Sequence, residues 1–187
     1  MAFWAVNRTP GMLLLAAGVL GFVSSSAAPP AAGNAYRNAE FGYRYDAPAA
    51  WEQKVDMPRN TSAFLGPTEQ GFTANLTVTV YAEKVETTDL LKFANGFKVD
   101  HARVLDRHKC TVAGEPGYTW RTLLTLPGHP PAENRQVVCV HNHRAYELTF
   151  TVGAGQMNKG YTALCDKWLA SFGWLKPTSP LLPRNKP

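Results

Sequence analysis

From Phe72 to Tyr81 the chain alternates without a break: Phe72, Ala74, Leu76, Val78 and Val80 fall on one side of an extended backbone, threonines, Asn75 and Tyr81 on the other. The same period of two returns from Ala145 to Val152, where Tyr146, Leu148, Phe150 and Val152 share a face. Each run predicts a strand with one strongly buried side. Tyr118 to Leu126 and Arg135 to Val140 also read as strands, but Val137 and Cys139 lie on one face and Val138 and Val140 on the other. Apolar residues on both sides predict strands in the middle of a sheet that is covered above and below.

Elsewhere the period lengthens to that of a helix. Thr88 is the expected N-cap and Asp89 an acid in the first turn, with Leu90, Phe93, Ala94 and Phe97 following at helical spacing and Gly96 weakening the run. From Asn158 to Phe172 the pattern is clearer: Tyr161, Leu164, Cys165, Trp168 and Phe172 fall on one face, Asp166 and Lys167 on the other, and Gly173 is the expected stop. These elements predict an α+β fold, a mostly antiparallel sheet flanked by helices.

Asn142-His143 sits between two strand patterns and reads as a two-residue hairpin turn. The register that follows puts His141 opposite Arg144, Val140 opposite Ala145 and Cys139 opposite Tyr146. The same stretch holds the candidate metal ligands, Cys139, His141 and His143. Alternate strand positions project to one side, and thiolate and imidazole both suit copper or zinc. A closed site needs further ligands. His143 would have to leave the strand direction, and His101, His108 and His129 are too distant along the chain to assign. The preferred reading is therefore a hairpin with a buried cysteine and exposed histidines, with no metal and no cofactor.

No catalytic residue is assigned, because the chain has no G-x-S-x-G elbow, no H-E-x-x-H and no P-loop glycine motif. The net charge of +5 over 187 residues is scattered among acids, as in Glu83-Lys84-Val85-Glu86, so no phosphate-tracking stripe forms and nucleic acid is not expected as a partner. Asn60-Thr61-Ser62 and Asn75-Leu76-Thr77 are glycosylation sequons that matter only in a host that glycosylates exported proteins.

Met12 to Val23 is apolar and too short to span a bilayer, Arg8 precedes it, and Ser25-Ser26-Ala27 offers small residues for cleavage. The expected organisation is a signal peptide over 1–27, a flexible linker over 28–35, one domain over 36–175 and a proline-rich tail over 176–187. The mature chain is then exported, periplasmic or secreted, with no stable transmembrane span. In that compartment two of Cys110, Cys139 and Cys165 could pair, in any of three ways, or all three could stay reduced as small buried hydrophobes.

Phe41-Gly42-Tyr43-Arg44-Tyr45-Asp46-Ala47-Pro48-Ala49-Ala50-Trp51 is a short strand of alternating aromatics followed by a proline stop and a tryptophan. Thr111-Val112-Ala113-Gly114-Glu115-Pro116-Gly117 carries a glycine and a proline at the start of a strand, Arg144 to Thr149 the second strand of a hairpin, and Trp168 to Phe172 the end of the last helix. In this order the segments resemble the PsbP-like domain family. The resemblance implies an α/β/α sandwich like that of photosystem II PsbP, DcrB-type envelope proteins and a nuclear-transport factor, with no common catalytic residues. The expected function is an exported, non-enzymatic binding or assembly module that meets a protein or envelope component through a sheet edge or helix face. A small metal-binding or hydrolytic protein and an apolar-ligand carrier are the alternatives.

Overall fold

In the computed structural model the described residues are 34–96 and 101–176. The expected signal peptide, most of the expected linker and tail, and Phe97 lie outside them. Strands β1 (Asn34–Asn38), β2 (Tyr43–Ala47) and β10 (Gly173–Trp174) form a small antiparallel sheet in the order β1-β2-β10. Strands β3 (Glu52–Lys54), β4 (Thr61–Glu69), β5 (Phe72–Lys84), β6 (Ala102–Val112), β7 (Glu115–Leu124), β8 (Ala132–His141) and β9 (Arg144–Gly153) form a seven-stranded antiparallel sheet in the order β3-β4-β5-β9-β8-β7-β6. Helices α1 (Leu90–Asn95) and α2 (Thr162–Ser171) complete the order. The expected α+β class holds, with one correction: the strands divide into two sheets, and the smaller one shares a face with α2.

The alternating faces decide which layer goes where. Leu76, Val78, Val80, Val137, Cys139, Tyr146, Leu148, Phe150 and Val152 turn to one side and meet Tyr43, Tyr45, Trp51, Trp168 and Phe172. Val138, Val140, Ala145 and Trp120 turn to the other and meet Leu90, Phe93 and Ala94 of α1. β8 is thus buried on both sides, as its pattern predicts. The paired tyrosines of β2 are almost fully buried and share the Ser62 hydroxyl, at 3.0 Å from Tyr43 Oη and 2.9 Å from Tyr45 Oη. Trp51 stacks on Phe150 at 5.3 Å and fills the space beside Gly66, where a Cβ would lie 2.4 Å from the indole.

The β8–β9 hairpin has the expected register, with His141 opposite Arg144, Val140 opposite Ala145 and Cys139 opposite Tyr146. Asn142 and His143 both take positive φ, 48° and 61°, the backbone that matches the twist of the flanking strands. Gly114 of the Thr111–Gly117 segment does the same with Ala113 between β6 and β7.

Four expectations need correction. The first helix is shorter than its pattern: Thr88 belongs to a preceding 3-10 turn, Asp89 occupies the N-cap and makes no side-chain cap bond, and α1 ends at Asn95. The second helix starts with a π-helical turn (Met157–Tyr161), so regular α structure begins only at Thr162. It ends because Phe172 turns extended; Gly173 then pairs with Arg44 as β10 rather than capping the helix. β1 begins at Asn34, two residues inside the stretch expected to be linker. β6, finally, was not foreseen as a strand. It lies at the edge of the large sheet, exposes most of its residues, and carries Arg103, Asp106, Arg107, His108 and Lys109, charges that blunt an open edge.

Candidate functional site

The turn ends of the two sheets meet at one corner of the molecule. On one side is the β1–β2 turn, held by the Phe41 amide donating to Asn38 Oδ1 at 3.0 Å. On the other is the β8–β9 hairpin. Tyr146 Oη donates to the Phe41 carbonyl at 2.8 Å, and the Leu175 amide donates to the Gly42 carbonyl at 2.8 Å, so the chain leaving β10 ties the two turns together. Between them opens a cleft of about 680 Å³, lined among others by Arg37, Glu40, Phe41, His141, Arg144 and Lys176. That size falls within the range of small-molecule sites.

The electrostatics of the cleft are one-sided. Arg37, Arg144 and Lys176 are exposed. Glu40, the acid at the rim, is engaged by Arg59 at 2.7 Å. The Arg144 guanidinium lies over the Phe41 ring, 5.5 Å from its centroid, a cation–π contact that holds it at the cleft wall. Arg37 stands directly opposite Arg44 in the β1–β2 ladder, a like-charge pair that disfavours the strand pairing. Among the described residues no carboxylate lies within ion-pair distance of Arg37, Arg44, Arg144 or Lys176.

The three residues singled out by the sequence are not brought together. His141 stacks flat on Trp174, with centroids 3.9 Å apart and an interplanar angle of 7°. Its Nδ1 lies 2.8 Å from Glu115 Oε1 and its Nε2 3.0 Å from the Asn142 amide nitrogen. With Nδ1 donating to the carboxylate and Nε2 accepting from the amide, both nitrogens are occupied and the ring is a wall of the cleft. Cys139 is fully buried, and burial, with Cys110 and Glu115 nearby adding to it, pushes its thiol up to about 12. His143 lies 3.1 Å from Glu86, the residue leading into the 3-10 turn before α1. Among the described residues, no three His, Cys, Asp or Glu side chains are grouped to hold a metal ion.

All three cysteines are free thiols. Cys110 and Cys139 both stand opposite Gly117, on the two strands that flank β7. Strands lie about 4.8 Å apart, so residues two strands apart are about 10 Å apart, beyond the reach of a disulfide without backbone movement. Gly117 is required here, since a Cβ would lie 2.7 Å from the Val138 carbonyl and 3.2 Å from Cys110 Sγ. Cys165 is buried in α2, its thiol likewise pushed up to about 12 by burial.

The basic residues of the cleft were not recognised in the sequence. Arg37, Arg144 and Lys176 are far apart along the chain, and each is an ordinary exposed cation until the fold places it. The visible signal is confined to Arg144, which flanks the predicted hairpin turn.

No family model matches the chain, and no curated protein matches it by sequence. Solved structures match its architecture, and they are PsbP-like folds, as the aromatic strand and its proline stop suggested. Cyanobacterial PsbP from Synechocystis is 14% identical with a TM-score of 0.54, over 81% of this chain and 98% of that one. LpqN of Mycobacterium tuberculosis, described as involved in cell envelope biogenesis, is 10% identical with a TM-score of 0.61, over 78% of this chain and 91% of that one. A Bacteroides thetaiotaomicron protein is 14% identical with a TM-score of 0.54 over 77% of this chain; the match spans about half, 49%, of that longer protein. At these identities the likeness establishes the fold alone.

Proposed function

We propose that this chain is an exported, non-enzymatic PsbP-like binding module that docks a protein or envelope component at the corner where its two sheets meet. The observation that carries this reading is the cleft itself. It is held open by backbone and tyrosine hydrogen bonds, walled by aromatic side chains and rimmed by cations, and its one histidine has both ring nitrogens in structural contacts. Such a site offers a partner cations and aromatic walls, with its histidine held as part of the wall.

Export rests on the short apolar run from Met12 to Val23 behind Arg8. No helix among the described residues is long and apolar enough to cross a membrane. A relation to the cell envelope is supported by the fold shared with LpqN. An apolar-ligand carrier would need an enclosed greasy chamber, whereas this cleft has a charged rim.

The test is a photo-crosslinking amino acid introduced at Asn142 beside the cleft and, in a second variant, at Lys167 on the exposed face of α2, both in the full chain expressed in its host. A discrete adduct from position 142 and none from 167, recovered with an exported chain shortened at its N-terminus, is the expected result. An adduct from 167 alone, or a chain retained in the cytoplasm, overturns the reading.

A further inference from the structure

We infer that the cleft between the β1–β2 turn and the β8–β9 hairpin binds an oxyanion, a phosphate or carboxylate group, carried on a flat apolar body. This names the chemistry of the docking site proposed above and rests on that reading.

Three observations lead to it. Three cations line a single cleft, and the one carboxylate among its lining residues, Glu40, is engaged by Arg59 outside that group. Arg37, which lines the cleft, stands opposite Arg44 in the ladder, a like-charge pairing that a bound anion would relieve. Arg144 lines the cleft and its guanidinium rests over Phe41, and a planar guanidinium fork is the geometry that meets phosphate or carboxylate with two parallel hydrogen bonds.

The apolar body follows from the walls. Phe41 and Leu175 line the cleft, and half-buried His141, backed by Trp174, presents its ring plane. A flat ligand moiety would cover these faces while its anionic end met the arginines. A bare inorganic ion satisfies the charge but leaves the walls wet, so it should bind more weakly than the same anion on a ring.

The experiment is calorimetric titration of the mature chain with phenyl phosphate, inorganic phosphate and phenol, repeated on Arg144→Gln and Arg37→Gln and on Lys167→Gln as a remote control. The expected result is one saturable site for phenyl phosphate that weakens with salt, weaker binding of inorganic phosphate, and none of phenol. Each cleft substitution should weaken phenyl phosphate about tenfold, the value of one charge-assisted hydrogen bond. Lys167→Gln should change nothing. Absence of phenyl phosphate binding, or binding that both arginine variants retain, overturns the inference.

Vesicles containing phosphatidylglycerol and free glycerol phosphate identify the source of the anion. Arg144-dependent binding of either supports the site, vesicles alone pointing to a lipid headgroup; vesicle binding indifferent to Arg144 counts against it. Cross-linking at position 142 that persists without any anion binding removes the oxyanion and leaves the docking site. Anion binding without cross-linking removes only the macromolecular partner.

Discussion

The two faces of the seven-stranded sheet are both buried, yet they are built differently. The face under the small sheet and α2 is a lattice of rings: Tyr43 and Tyr45 stack at 6.2 Å, Tyr45 meets Trp168 edge-on at 6.0 Å, and Trp168 lies 6.0 Å from Phe150. The face under α1 is apolar only near the hairpin end, where Val138, Val140 and Ala145 meet the helix. Away from it, the ladder lines up Thr122, Asn134, Thr151 and Asn75 across four strands, and all four are buried. Thr122 Oγ1 and both polar side-chain atoms of Asn134 have no hydrogen-bond partner among the described residues. The ring face carries one such atom, Trp168 Nε1, against three on the polar face, and each unpaired group costs about 1 to 3 kcal/mol. A six-residue helix is too short to cover a seven-stranded sheet with apolar side chains.

The largest expected effect lies on the ring face. Trp168→Ala should destabilise by about 3 to 5 kcal/mol, because the indole is buried and touches both sheets. Denaturant unfolding measures it, and a loss under 1 kcal/mol would mean that the ring lattice is not the core.

Alkaline pH should strain the same face next. Burial pushes the Tyr43 and Tyr45 hydroxyls well above the usual tyrosine range, so that they resist ionisation, and pushes Cys139 and Cys165 from their usual 9.0 up to about 12. Between those values the unfolded chain has released its thiol protons and the folded chain has kept them. Stability is therefore complete below about pH 9 and falls as pH rises toward 12, by about 1.4 kcal/mol per pH unit for each such thiol. A thermal midpoint that stays level from pH 8 to pH 10.5 would contradict this. The same burial predicts that iodoacetamide at pH 8 leaves Cys139 and Cys165 unmodified in the folded chain, as read by intact mass.

The polar face should respond in the opposite direction. Asn134→Val removes two unpaired polar atoms and adds a β-branched residue to a central strand, so it should stabilise by about 1 to 2 kcal/mol. A destabilisation would show that the amide has a partner in solution and that the contrast between the faces is smaller than drawn. The smallest effect belongs to the cleft: Arg144→Gln, at an exposed hairpin flank, should change stability by no more than about 0.5 kcal/mol while altering binding.

The ring face was the legible part of the sequence. Its strands alternate strictly, and the β8–β9 register followed residue by residue from one Asn-His turn, because an error of one position would have put Tyr146 and Leu148 on the wrong side. β6 was not legible, since an edge strand buries little and its side chains need not alternate. The end of α2 was misread because the backbone of Phe172 turns extended before Gly173 is reached. The Cys139, His141 and His143 spacing left a ligand set as the weaker alternative to a plain hairpin, and the partners of the two histidines were not visible in it: Glu115, Asn142 and Trp174 contact the first and Glu86 the second. The cleft was illegible for the converse reason, as its cations come from the first strand, the hairpin and the chain beyond β10.

The most direct test of the central claim, that recognition belongs to the corner where the two sheets' turns meet, is amide chemical-shift mapping of the protein titrated with phenyl phosphate. The account predicts shifts concentrated at Arg37, Phe41, His141, Asn142, Arg144 and Lys176, with the central strands unmoved. Shifts centred instead on Thr122, Asn134 and Thr151 would place the ligand on the polar face of the large sheet and contradict it.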